Sequence, residues 1–151
     1  MIKRIFGAFI LAALLYTGAF AQDGVVRMGT EGYYPPFNFF DSSGAVKGFD
    51  IDIGNALCER MKVKCEWVTT DWDGIIPALN SNKFDTIIAS MAITEARRKA
   101  VNFSKPYYFN AARFITSKDL NLKGGMPEDL KRKIIGTQSG TGESKMIDRY
   151  F

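Results

Sequence analysis

Residues 89–99 hold the side chains best suited to gripping an anion: Ala89, Ser90, Met91 and Ala92, then Thr94, Glu95 and Arg97. The β-branched apolar run at 84–88 reads as a buried strand, and Thr94 reads as the N-cap of a short charged helix. A strand that passes through a tight loop into a helix start leaves backbone N–H groups pointing one way, an arrangement that favours negative charge. Arg97, three residues after Thr94, falls in the first turn and can reach back over the loop. Its fork of donors matches a carboxylate. The same pattern also suits an ordinary α/β junction with a solvated arginine, and spacing alone leaves both readings open.

Two other places carry usable chemistry. Tyr34 lies in the Gly- and Pro-broken stretch 31–37, and Trp72 lies at the strand-to-helix junction 69–74. Two flat rings at one sheet edge can sandwich a ligand or simply fill a core. Residues 138–142, including Gln138, Thr141 and Gly142, repeat the pattern of small residues between a strand and a helix, making a second possible anion-facing loop.

The elements that must position these residues follow from periodicity. A first strand is expected at 25–30, its carboxyl end opening into the aromatic loop 31–37. Residues 41–44 read as a surface turn. Apolar residues at Phe49, Ile53, Ala56, Leu57 and Met61 have helical spacing, with Asp50 and Asp52 at the amino end, where negative charge suits the helix dipole. A strand at 63–68 alternates two faces. Pro77 sits early in a following helix, where it is tolerated. Further strands are expected at 113–116 and 133–137, a helical turn at 128–131 and a helix at 143–149. The βαβ rhythm as far as residue 88 predicts an α/β fold with a parallel sheet, whose carboxyl edge is where ligands bind.

Composition sets the bounds. Lys3 and Arg4 precede 12 residues without a charge and an ending at Ala19 and Ala21. This is the pattern of a signal peptide spanning 1–21, too short to cross a bilayer. Residue 22 is Gln22, so no lipid-bearing cysteine follows. Losing Lys3 and Arg4 lowers the formal net charge from +4 to +2 over the remaining 130 residues, a scattered excess that does not argue for nucleic acid. Cys58 and Cys65 read as a disulfide in an oxidising compartment. The chain has no histidine to complete a zinc site. A loop this short gives about 2–3 kcal/mol on the chain-entropy estimate. No metal or cofactor is expected.

Several stretches in order resemble one family. They are Arg27 to Glu31 with Tyr34, Pro35, Pro36 and Phe37; residues 48–54; Cys58 and Cys65; residues 71–77; residues 89–97; and residues 103–108. Together they are similar to the periplasmic solute-binding proteins of ABC importers for polar amino acids, in particular the lysine/arginine/ornithine-, histidine- and opine-binding members. The resemblance implies a periplasmic binding protein-like α/β fold in two lobes, each a central sheet flanked by helices. The first lobe would span 22–110. The second would begin at 111–151 and be incomplete, so that the chain resembles an amino-terminal half.

The resemblance also implies roles. Arg97 would hold the ligand's α-carboxylate with Ser90 and the amides near Ala92, Tyr34 and Trp72 would stack on its side chain, and Glu31 would take its distal positive charge. The loop carrying Gln138, Thr141 and Gly142 would close over the carboxylate. Ala89 and Ala92 stand where relatives often carry hydroxyls, and Glu31 where an aspartate is common. The implied function is capture of arginine, lysine or ornithine, by a monomer in the periplasm, for a membrane permease. The alternatives are an exported enzyme similar to cyclohexadienyl dehydratase, with Glu31 as general acid, or a ligand-binding sensor domain.

Overall fold

The structure, a computed structural model, describes residues 24–120, 122 and 124–151. The signal-peptide reading of residues 1–21 lies outside these residues.

The central strand is β1 (Val25–Thr30), flanked by β5 (Lys64–Thr69) on one side and β6 (Thr86–Ile87) on the other, all three parallel. Met28 is the register point, opposite Trp67 in β5 and Thr86 in β6. Between β1 and β5 the chain makes an antiparallel meander, β2 (Tyr33–Tyr34), β3 (Asn38–Phe40) and β4 (Val46–Lys47), and then α1 (Phe49–Met61). A 3-10 turn (Trp72–Gly74) leads into α2 (Ile75–Asn80), and α3 (Glu95–Arg98) follows β6. Two further helices, α4 (Pro127–Leu130) and α5 (Gly142–Tyr150), complete the described elements.

The parallel sheet is covered on both faces, as crossover helices require. On one face Met28, Cys58 and Ile88 are buried, with Val26, Cys65 and Trp67 against them, so that α1 seals this side. On the other, Ile75, Ala78, Phe84 and Ala89 pack with Val68, Trp72 and Leu79 from α2 and its flanks. The Cys58–Cys65 disulfide joins the last turns of α1 to β5.

Two glycines permit this close packing. A Cβ at Gly29 would lie 2.5 Å from the Phe84 ring, and one at Gly54 would lie 2.6 Å from Trp67 and 2.9 Å from the Met28 sulfur. Both neighbours are rings held in the core, with little room to yield.

The expected β1, α1 and helix at 143–149 are present within a residue. The stretch 31–37 is not all loop, because Tyr33 and Tyr34 pair with Phe39 and Asn38. The strands expected at 113–116 and 133–137 do not form. Their β-branched composition suits a strand, but a strand exists only when its N–H and C=O groups meet a ladder partner. Among the described residues neither stretch has one, and Ile115 and Ile134 are fully exposed.

At the turn after β3, Asp41 accepts hydrogen bonds from the Ser43 N–H and hydroxyl and the Ala45 N–H, and pairs with Lys47 at 2.7 Å. The Lys47 ammonium, and then the Ser43 hydroxyl, hold its carboxyl well below the usual carboxylate range.

Gly29→Ala and Gly54→Ala are each expected to destabilise the protein by about 1–3 kcal/mol through overpacking. Gly136→Ala, which meets nothing within 4 Å, is expected to change stability by less than about 0.5 kcal/mol; urea denaturation of the three variants is the check. Because Asp41 titrates lower folded than unfolded, its contribution is present above its unfolded pKa and is lost as pH falls through the folded one. Carbon-detected NMR titration is expected to place Asp41 below the exposed aspartates, and Lys47→Ala to move it up.

Candidate functional site

Because β1, β5 and β6 are parallel, their carboxyl ends open on one edge. Glu31 follows β1, Trp72 follows β5, and Ala89 and Ser90 follow β6, so residues up to 59 positions apart in sequence meet there. The edge opens into a cleft of about 710 Å3, within the range of small-molecule sites. Glu31, Tyr34, Trp72, Ala89, Ser90, Ala92, Arg97, Gln138, Thr141 and Gly142 all line it. A second cavity of about 450 Å3 lies among residues 112–147 and is walled mainly by Phe114, Ile115, Leu120, Leu130, Ile134 and Ile147.

Thr94 caps α3 as its residue type suggests, its hydroxyl accepting from the Arg97 N–H at 3.2 Å. The cap starts the helix so that Arg97 turns back over the loop, where it donates to the Ala92 carbonyl at 2.8 Å and the Gly140 carbonyl at 3.1 Å. Its guanidinium lies 5.1 Å from the centre of the Trp72 ring, a cation–π distance. Burial lowers the Arg97 pKa from its ordinary value, while the field of Glu143 opposes the shift. Two of its five N–H groups are engaged and three remain.

Glu31 is buried and accepts a hydrogen bond from the Gln138 amide. Ser139 donates to Asp73 at 3.2 Å, so the loop 138–142 is docked on the first part of the chain through Glu31, Asp73 and Arg97. Among the described residues neither Arg97 nor Glu31 has an opposite charge within 4.0 Å. Lys105, Arg113 and Glu143 also line the cleft, but all three are exposed.

The rings are already partly occupied. Tyr34 stacks on Phe37 with ring centres 5.0 Å apart, and Phe37 stacks in turn on Tyr108 at 5.1 Å. Trp72 carries Arg97 on one face. Trp72 also packs against the core of Ile75, Ala78, Phe84 and Ala89, whereas Tyr34 remains partly exposed.

Ser90 differs from its expected part. Its hydroxyl donates to the Asp50 carboxylate at 2.9 Å, and its N–H donates to the Tyr107 hydroxyl at 3.0 Å. The one proton of the hydroxyl is therefore committed within the protein and is not offered to a ligand carboxylate. The amides of Met91 and Ala92, by contrast, find no acceptor among the described residues.

Sequence reasoning passed over Asp50 and Tyr107. Asp50 was read only as a charge suited to a helix start, yet it stands four and eight residues before Gly54 and Cys58, both buried on the inner face of α1. That spacing was the available signal.

The chain has relatives in both sequence and fold. The L-arginine-binding protein of Pseudomonas aeruginosa is 42% identical over 146 residues, 97% of this chain and 54% of that protein. The lysine/arginine/ornithine-binding periplasmic protein of Escherichia coli K12 is 41% identical over 116 residues, 77% of this chain and 44% of that one. An ancestral arginine-binding protein bound to arginine superposes with a TM-score of 0.69 at 40% identity, covering 83% of this chain and 55% of that structure. The chain thus spans about half the length of the curated relatives it matches, and its α/β fold is a fragment of the periplasmic-binding-protein fold. The profile of the bacterial extracellular solute-binding proteins, family 3, matches residues 26–143, and the chain belongs to that family.

Proposed function

We propose that the protein captures a cationic L-amino acid, arginine, lysine or ornithine, in this cleft and delivers it unchanged to the membrane permease of an ABC importer. The observation that carries the reading is the pair of unmatched charges. A half-buried guanidinium and a buried carboxylate, each without a counter-ion within 4.0 Å among the described residues, are complementary to a ligand with a carboxylate at one end and a cation at the other.

In this reading three free N–H groups of Arg97 and the amides of Met91 and Ala92 receive the ligand's carboxylate. Glu31, held by Gln138, receives the side-chain cation, while Tyr34 and Trp72 pack on the methylenes between. Ala89 and Ala92 leave space where a hydroxyl would add a hydrogen bond. Thr141 and Gly142, at the start of α5, lie over the carboxylate end. Residues 22–110 form one lobe and 111–151 begin the second, and closure of the two sequesters the ligand. Residues 1–21 direct export and are removed, so that the protein works in the periplasm as a monomer. The ligands for which the relatives are named, arginine or lysine/arginine/ornithine, support the ligand class.

Micromolar affinity requires about −8 kcal/mol. Charge-assisted hydrogen bonds contribute about 1.5–3 kcal/mol each, so a carboxylate on Arg97, a cation on Glu31 and ring packing are of that order before the association cost is charged.

Titration calorimetry with L-arginine is expected to give micromolar or tighter binding for the mature protein with both lobes complete, and weak or no binding for residues 22–151 alone, where much of the second cleft wall is missing. Arg97→Ala is expected to weaken it by about 100-fold or more, the equivalent of two charge-assisted bonds. Unchanged affinity in that variant would remove Arg97 from the site. Glu31→Gln is expected to weaken arginine by about 10- to 100-fold and to leave L-glutamine nearly unaffected; a wild-type preference for neutral or acidic amino acids would overturn the cationic pocket.

A further inference from the structure

Asp50 is fully buried in the first turn of α1 and has no cation within 4.0 Å among the described residues. Three neutral donors from three parts of the chain converge on it. Asn38 Nδ2 in β3 donates at 2.8 Å, the Ser90 hydroxyl at 2.9 Å and the Tyr107 hydroxyl at 2.8 Å. Asn38 is itself set by accepting from the Gly32 N–H at 2.9 Å.

The consequence falls on Ser90, which is held twice. Its side chain binds Asp50 directly, and its N–H binds the oxygen of Tyr107, whose proton Asp50 draws to the opposite side. Ser90 has φ 51°, a left-handed conformation that a residue with a Cβ adopts only when its surroundings impose it. That conformation aims the next peptide groups, and the next two amides are the unpartnered ones of Met91 and Ala92, which line the cleft. Burial and then the Asp50 bond raise the Tyr107 pKa far above its ordinary value, so the phenol keeps the proton that the arrangement needs.

We infer that Asp50 is a positioning residue for ligand binding: without touching the ligand, it orders Tyr107 and Ser90 and thereby sets the backbone of residues 90–92 that faces the cleft. The inference deepens the proposed function and rests on it for its binding readout. The first link, from Asp50 to the Ser90 amide, can be measured with no ligand present.

The test compares wild-type mature protein, both lobes complete, with Asp50→Asn, Tyr107→Phe and the double variant. Three quantities are read: L-arginine affinity by calorimetry well below the melting temperature, the melting temperature itself, and hydrogen exchange of the Ser90 amide by 15N NMR without ligand. Each single substitution is expected to speed Ser90 exchange and to weaken arginine by about tenfold. The double variant is expected to be little worse than the more damaging single one, because both act through one chain of contacts. A purely structural role lowers the melting temperature while leaving arginine affinity and Ser90 exchange of the folded protein at wild-type values, and that result overturns the inference. If Asp50→Asn does not fold, Tyr107→Phe decides alone: unchanged Ser90 exchange and affinity overturn it. If the wild-type protein takes no arginine, the proposed function fails, and Ser90 exchange in the variants still decides the Asp50 link.

Discussion

The buried Asp50 carboxylate is the constraint to which most of the site can be traced. Taking such a group from water costs several kcal/mol, and among the described residues no cation lies beside it to offset this. Its compensation comes from the amino end of α1, where the helix dipole favours negative charge, and from three hydrogen bonds worth about 1.5–3 kcal/mol each when the acceptor is charged. These donors come from β3, from the loop after β6 and from the aromatic segment after α3. Satisfying one carboxylate therefore locks the meander, the first helix, the anion-facing loop and Tyr107 into one arrangement.

Two other buried or half-buried charges are treated differently, and the difference separates structure from function. Asp50 is saturated by neutral donors, whereas Glu31 has one amide partner and Arg97 has two carbonyls and a ring face. A saturated charge has no capacity left for a ligand. Glu31 and Arg97 retain acceptors and donors, and they stand in a cleft where the dielectric is lower than in water, so that an incoming opposite charge is held more strongly. Under the proposed function this incompleteness is useful, since a ligand charged at both ends would supply the missing counter-ions.

The parallel sheet explains why these groups meet at all. With β1 between β5 and β6, every strand delivers its next residue to the same edge. Glycine at positions 29 and 54 lets Phe84 and Trp67 close on the sheet from opposite sides, and the core those rings make is the rigid base under the edge. The loop 138–142 then meets that edge through Arg97, Asp73 and Glu31.

Local signals in the sequence determined much of this. The bounds of β1 and α1, the Thr94 cap and the pairing of Cys58 with Cys65 depend on near neighbours in the chain, so periodicity, residue type and cysteine count sufficed. The ordered set of short motifs carried the family, because several stretches in one order are far more specific than any single one. Only the tertiary structure decided the rest. Residues 113–116 and 133–137 have strand composition but no ladder partner among the described residues, and pairing is a property of two segments rather than one. The commitment of Ser90 to Asp50 joins residues 40 positions apart. No local pattern records which of a serine's possible partners reaches it first. The short meander strands and the burial of Asp50 arise from contacts distant in sequence or from which face of α1 meets the core, and those are fixed only when the chain is packed.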